Sequence, residues 1–219
     1  MPDVSKRKLK RFSPEEQGPA RWGLHLLFAI FLGVVLGAAS ERADQIPVLG
    51  ALTSYLGIWF ISTFLVGRIS PKRNTAIACG VSYLFAMVFS YYALRTLLGG
   101  GDQTLFLALW TVVALTVGPL LSIAGNGTRA PGRKRLWSIC LVAGILLGEA
   151  VSVMLFRETP ERWIVVLFDT FSAVCVFNLA HGRKEKKKLL LLLVPSVLIG
   201  MLIFQGPSLL SPVFELIFW

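Results

Sequence analysis

The chain has 219 residues, 55% of them hydrophobic and 16% charged, with a mean hydropathy of +0.69. That is too apolar for an ordinary soluble domain and too short for several domains, so it reads as one compact polytopic membrane domain. A net charge of +10 would suggest nucleic acid if the basic residues shared a soluble face; they fall at helix ends instead, so no nucleic acid is expected.

A polar, basic arm, residues 1–21, opens the chain. The apolar run after it is longer than a signal-peptide core, so an uncleaved first helix is expected, although Gly37 and Ala39 before Ser40 mimic a cleavage site. A helix needs about 20 mainly apolar residues to cross the hydrocarbon core. Seven segments qualify, at roughly 22–40, 47–67, 74–98, 103–125, 136–156, 163–180 and 189–206. The expected fold is therefore an all-α bundle of seven transmembrane helices over 22–206, or six if the last segment is re-entrant. The tail PSLLSPVFELIFW, 207–219, carries two prolines and reads as an apolar interfacial piece, with Glu215 among its apolar residues.

Basic residues mark the cytoplasmic side of short loops. Six lie in the N-terminal arm, three in RISPKR, four in GNGTRAPGRKR and five in HGRKEKKK, against four elsewhere: Arg42, Arg95, Arg157 and Arg162. The N-terminus is thus expected to be cytoplasmic. HGRKEKKK (Arg183, Lys184, Lys186, Lys187, Lys188) reads as this topology signal, or as a site for anionic lipid or a partner subunit.

Two acids stand where apolar residues are expected. Glu149 precedes the outer end of its segment, and Asp169 follows Arg162, by equal stretches of chain; at 1.5 Å per residue both sit roughly 10 Å below the outer face. Ionisable groups at depth normally face the bundle interior and find partners. If the two meet, they should share a proton or bind a cation, because adjacent like charges oppose each other's ionisation. Arg95, near the outer end of the third segment, is the alternative partner, in a structural ion pair or snorkelling to the headgroups.

Other polar side chains fall near the same layer: Thr53, Ser54, Tyr55, Ser90, Tyr91, Trp110, Thr111 and Ser152. Ser138, Glu149 and Ser152 share one helix face, so a polar cavity opening outward is one reading. The other is ordinary helix bridging by Ser and Thr and interface marking by Tyr and Trp. Ala29, Gly33 and Gly37 in AIFLGVVLG, and Gly144 and Gly148 in GILLG, are small residues four apart that admit a close helix neighbour, inside the bundle or on another membrane subunit. Pro119 and Pro195 can kink helices or break them at a site.

Catalytic patterns are nearly absent. His25 and His181 sit at helix ends, and there is no HExxH or GxSxG; GGGD at 99–102 fits the GxGD of intramembrane aspartyl proteases but lies in an outer turn. Cys79, Cys140 and Cys175 read as small core residues rather than a disulfide or metal framework. No enzyme activity, cofactor or metal is expected.

In order, these features resemble an uncharacterised multi-pass membrane family of bacteria, a domain of unknown function. The likeness runs through a glycine-rich first helix, IPVLGALTSYLGIW, FLVGRISPKR, a third segment carrying Tyr91 and Tyr92, WTVVALTVGPLLSIAG and LLGEA. It implies a six- or seven-helix bacterial plasma-membrane protein with no established activity, and makes Glu149 a family feature. A fainter likeness is to substrate-binding subunits of energy-coupling-factor vitamin transporters, which dock a partner through small residues on their first helix; no vitamin-binding signature accompanies it. Two functions follow as expectations: a small transporter with Glu149 and Asp169 as proton- or cation-binding groups and Arg95 as their electrostatic partner, or a non-catalytic assembly subunit docking through its first helix.

Overall fold

The computed structural model describes residues 19–180 and 182–218, with side chains described over 22–180, at 182 and over 185–205. Residues 1–18, His181 and Trp219 lie outside the described residues, as do the side chains of 19–21, Arg183, Lys184 and the tail from 206 on, Glu215 included. The elements are α1 (Pro19–Ala43), α2 (Pro47–Thr53), α3 (Leu56–Ile69), α4 (Arg73–Leu97), α5 (Thr104–Gly127), α6 (Arg133–Phe156), α7 (Arg162–Phe177) and α8 (Gly182–Phe218). The described residues contain no strand, and the protein is a membrane-spanning helical bundle.

Among the described residues five helices are long and apolar enough to cross a bilayer, and six if α2 and α3, bent by 58° at their junction, form one broken span. The exception among the seven expected segments is 163–180. There α7 has 16 residues, which at 1.5 Å per residue reach about 24 Å, short of the roughly 30 Å hydrocarbon core. The helix ends early because the chain tightens past Phe177: Leu179 N–H closes on the Val176 carbonyl and Ala180 N–H on the Phe177 carbonyl, three residues back instead of four. At the other end of the chain, α8 runs on past 206, through both prolines of the tail, to Phe218.

Small residues decide which helices touch. A Cβ on Gly33 would lie 3.0 Å from Ala86 Cβ and 3.2 Å from Met87 N, and one on Gly37 would strike Met87 O and Ser90 Oγ, so α1 crosses α4 with the backbones nearly in contact. Ala29 is buried in the same seam. On the opposite flank a Cβ on Gly148 would lie 2.6 Å from Gly200 Cα, and one on Gly144 would lie 2.7 Å from the Ser196 carbonyl carbon, which seats α8 on α6. Between these pairs α3 is the centre, packed against α4, α5, α6 and α7.

The outer faces carry large apolar side chains, such as Phe31 (66% exposed), Leu105 (79%) and Leu191 (78%), as a bundle surrounded by lipid tails requires. Cys79 and Cys140 are core residues, whereas Cys175 is exposed on the outward face of α7, contrary to its expected place in the core. Pro119 and Pro195 lie within α5 and α8 without ending them. The broken helix is elsewhere, at Ser54 and Tyr55.

Candidate functional site

The break begins with Pro47, whose fixed φ suits the first turn of α2. Seven residues later Ser54 keeps a helical conformation while Tyr55 is extended, with φ −105° and ψ 158°, and α3 restarts at Leu56. A broken helix at membrane depth exposes backbone groups that lipid cannot satisfy, so side chains must. Trp59 Nε1–H donates to the Thr53 carbonyl at 3.0 Å, the Thr53 hydroxyl donates to Asp44 Oδ1, and Leu56 N–H donates to Glu149 Oε1 at 2.7 Å.

Glu149, 1% exposed on α6, therefore caps the positive end of α3. Asp169, 0% exposed on α7, reaches the same point: a Cβ on Gly57 would strike Asp169 Oδ1 and lie 3.0 Å from Glu149 Oε2. The absence of a side chain at Gly57 is what leaves both carboxylates room. Glu149 Oε2, both Asp169 oxygens and Ser152 Oγ are buried with no hydrogen-bond partner among the described residues.

Arg95 is not their partner. Its guanidinium lies 3.5 Å from Asp44 Oδ2, donates to the Tyr91 hydroxyl at 2.7 Å and sits 5.9 Å from the Tyr91 ring centre. The reason is position: Arg95 is in the last turn of α4, level with the turn that carries Asp44, while Glu149 and Asp169 lie behind α3. The ion pair expected between Arg95 and the deep acids is thus made with Asp44, which also accepts from the Tyr91 hydroxyl.

Above Leu56, on the side away from the basic loops, is a cavity of about 260 Å³. Of the expected polar layer, Thr53, Ser54, Tyr55, Tyr91 and Trp110 line it. Ser90 and Thr111 do not: Ser90 Oγ–H bonds back to Met87 O at 3.1 Å and Thr111 Oγ1–H to Leu107 O at 2.7 Å, the ordinary bridging of a hydroxyl on its own helix. Ser152 also lies off the cavity, one turn from Glu149. Asp44, Trp59, Tyr92 and Phe106 complete the walls and escaped the sequence reading. Nothing in the sequence singled out Asp44, Trp59 or Phe106, and Tyr92 stood out only as part of the run Tyr91-Tyr92.

The walls are interlocked. Trp59 meets Tyr91 edge-on at 5.8 Å and Trp110 at 5.7 Å, Tyr91 meets Tyr92 at 4.9 Å, and Tyr92 stacks on Phe106 at 6.4 Å. A second hollow of about 300 Å³ adjoins the first through Asp44 and Arg95 and is edged by Glu41, which is 6% exposed, and Gly99. The GGGD stretch is the turn beside it: Gly99 and Gly101 adopt φ of 88° and 74°, and Asp102 Oδ1 accepts from Thr104 N–H at 2.9 Å at the start of α5. Asp102 is apart from the buried acids.

The remaining expected positions are accounted for by packing or exposure. Ala29, Gly33 and Gly37 are covered by α4, and Gly144 and Gly148 by α8, so neither face is open to a partner. Lys186 bonds Asn178 Oδ1 at 3.2 Å, and Lys187 and Lys188 are exposed. No group of three or more His, Cys, Asp and Glu side chains able to hold a metal occurs among the described residues.

No curated protein and no solved structure matches the chain. A family model does, over residues 16–210, which takes in every described element that builds the cavity and the acid pair, and the chain belongs to the family of unknown function DUF6518.

Proposed function

We propose that this bundle is a small ion-coupled transporter of the bacterial plasma membrane, with Glu149 and Asp169 as the coupling pair. The observation that carries the reading is the meeting of two buried carboxylates over Gly57, with no basic partner among the described residues, at the break between α2 and α3. Two anions cannot both persist there without compensation, so the pair holds a shared proton or a cation. Leu56 links this pair to the cavity, because its N–H bonds Glu149 while it lines the cavity floor.

In this reading the side away from the basic loops is the outside, as the positive-inside rule sets it. Proton or cation occupancy changes the charge of Glu149 and hence its hold on the first turn of α3. That turn borders the cavity, so occupancy of the pair and of the cavity are coupled, which is what transport needs. The role is non-catalytic. The assembly alternative is the weaker reading, because the small-residue face of α1 that would dock a subunit is packed on α4.

The test is proton counting. Purified protein in weakly buffered detergent is titrated with a pH dye between pH 5 and 9, beside a Glu149→Gln, Asp169→Asn double variant whose folding is checked by gel filtration. The wild type is expected to release a proton that the variant lacks. Identical titrations from two folded proteins would contradict the reading.

A further inference from the structure

The cavity above Leu56 has its own chemistry, separate from the acid pair beneath it. Its charged groups are Asp44 and Arg95, whose side chains are 18% and 43% exposed. Asp44 is already committed as an acceptor, taking the Thr53 hydroxyl and the Tyr91 hydroxyl and facing the Arg95 guanidinium at 3.5 Å. Little of it is left for an incoming cation.

Arg95 differs. A guanidinium has five N–H donors in a planar fork, and the contacts Arg95 makes to Tyr91 and Asp44 are through Nη1. The donors on Nε and Nη2 have no partner among the described residues, and the group borders both hollows. Those two atoms present the parallel N–H pair that matches a carboxylate edge to edge. Asp44 and Tyr91 hold the guanidinium in place, so the fork is oriented before any ligand arrives.

The rest of the lining is aromatic. Trp59, Tyr92, Phe106 and Trp110 join Tyr91 in a set of rings whose mutual contacts fix them as walls. Rings so arranged accept a flat apolar body by stacking. At about 260 Å³ the space falls below the roughly 300–1,000 Å³ of drug-sized sites, so the occupant is small.

We propose that this cavity binds a small organic acid with one carboxylate and a flat apolar body, the carboxylate on the free fork of Arg95 and the body between the aromatic walls. The proposal deepens the transport reading, and rests on it only for what happens to the ligand after binding. Carriage of such an anion with a proton on the Glu149 and Asp169 pair moves no net charge, which gives the two sites one purpose.

Trp59 and Trp110 provide the readout, since both line the cavity. Tryptophan fluorescence of the purified full chain is followed during titration with benzoate, with benzylamine and with benzyl alcohol, three probes of one shape and different charge. Benzoate is expected to give a saturable change and the other two only weak, non-saturating drift. Arg95→Lys keeps the charge and loses the fork, and should weaken benzoate by about ten-fold or more; Arg95→Gln should abolish saturation.

Benzylamine binding as well as benzoate, no saturation by benzoate in folded wild type, or equal benzoate affinity in a folded Arg95→Lys variant would each overturn the proposal. Should Arg95→Gln fail to fold, the three-probe comparison on the wild type and the lysine variant still decide. The proton count separates the two claims: protein that releases its proton but ignores benzoate keeps the coupling pair and loses the acid site, and the reverse result does the opposite.

Discussion

Replacing Glu149 by Gln and by Leu separates a proton-sharing carboxylate from one locked in an ion pair. Glutamine keeps an oxygen for Leu56 N–H, now accepted at 2.7 Å, and loses the charge assistance of that bond. The loss is about 1 kcal/mol, the gap between charged and neutral hydrogen bonds. Against it stands the cost of an ionised side chain at depth with no basic partner among the described residues, about 2.5–3.5 kcal/mol at the bilayer centre and less toward the interface. Glu149→Gln should therefore be as stable as the wild type or about 1–2 kcal/mol more stable. Leucine removes the acceptor as well and strands the N–H, at about 1–3 kcal/mol, so it should fall below glutamine by that amount. Reversible unfolding by sodium dodecyl sulfate in mixed micelles, followed by circular dichroism, measures both. Had Glu149 an ion-pair partner, its neutralisation would cost about 3–5 kcal/mol, and a loss of that size in the glutamine variant would refute the reasoning.

Other perturbations follow from particular contacts. Gly57→Ala places a methyl group on Asp169 Oδ1; overpacking of about 1–3 kcal/mol is only partly offset by alanine's helix preference of up to about 1 kcal/mol, so stability should fall by up to about 2 kcal/mol while the reactivity of Asp169 toward carboxyl reagents changes clearly. Gly37→Leu pushes α1 off the backbone of Met87 and should destabilise the chain itself by about 1–3 kcal/mol or more, seen in the same unfolding assay, rather than strip a bound subunit from a stable fold. Asp102 lies outside the spanning helices, and the Thr104 hydroxyl and N–H hold its carboxyl below the usual carboxylate range. Its contribution is thus present above the ordinary carboxylate value, near pH 4, and fades as pH falls through the lower folded value; protection of the amides in the first turn of α5, taken as exchange relative to the intrinsic rate at each pH, should fall at acid pH, and at neutral pH in Asp102→Ala.

Most of the architecture was readable because lipid imposes one rule, about twenty apolar residues per span, on α1, α4, α5, α6 and α8 alike. The common level of Glu149 and Asp169 was readable too, since rise per residue sets them at one height, and both carboxylates reach Gly57. Direction was not. That the two face each other depends on α3 restarting at Leu56 and on bare Gly57 between them, and LTSYLG carries no proline or glycine at the break itself to announce it. Asp44 was invisible for a related reason: an acid in a turn looks solvated until a helix end brings Tyr91 and Arg95 to it. The short α7 was hidden by apolar residues that continue past its end at Phe177. The glycines of α1 announced a close neighbour but could not say whether it was α4 or a second protein.

The central claim is that Glu149 and Asp169 form a proton- or cation-holding pair, and carbodiimide labelling tests it most directly. The reagent modifies protonated carboxyls in apolar surroundings. Protein in native membranes is labelled across pH with and without sodium and read by mass spectrometry at the two residues. Labelling at either residue near neutral pH is the result predicted, and protection by sodium would identify the ion as a cation rather than a proton. No labelling in the wild type at any pH, with labelling appearing once Arg95 is replaced, would contradict the account and restore the structural ion pair.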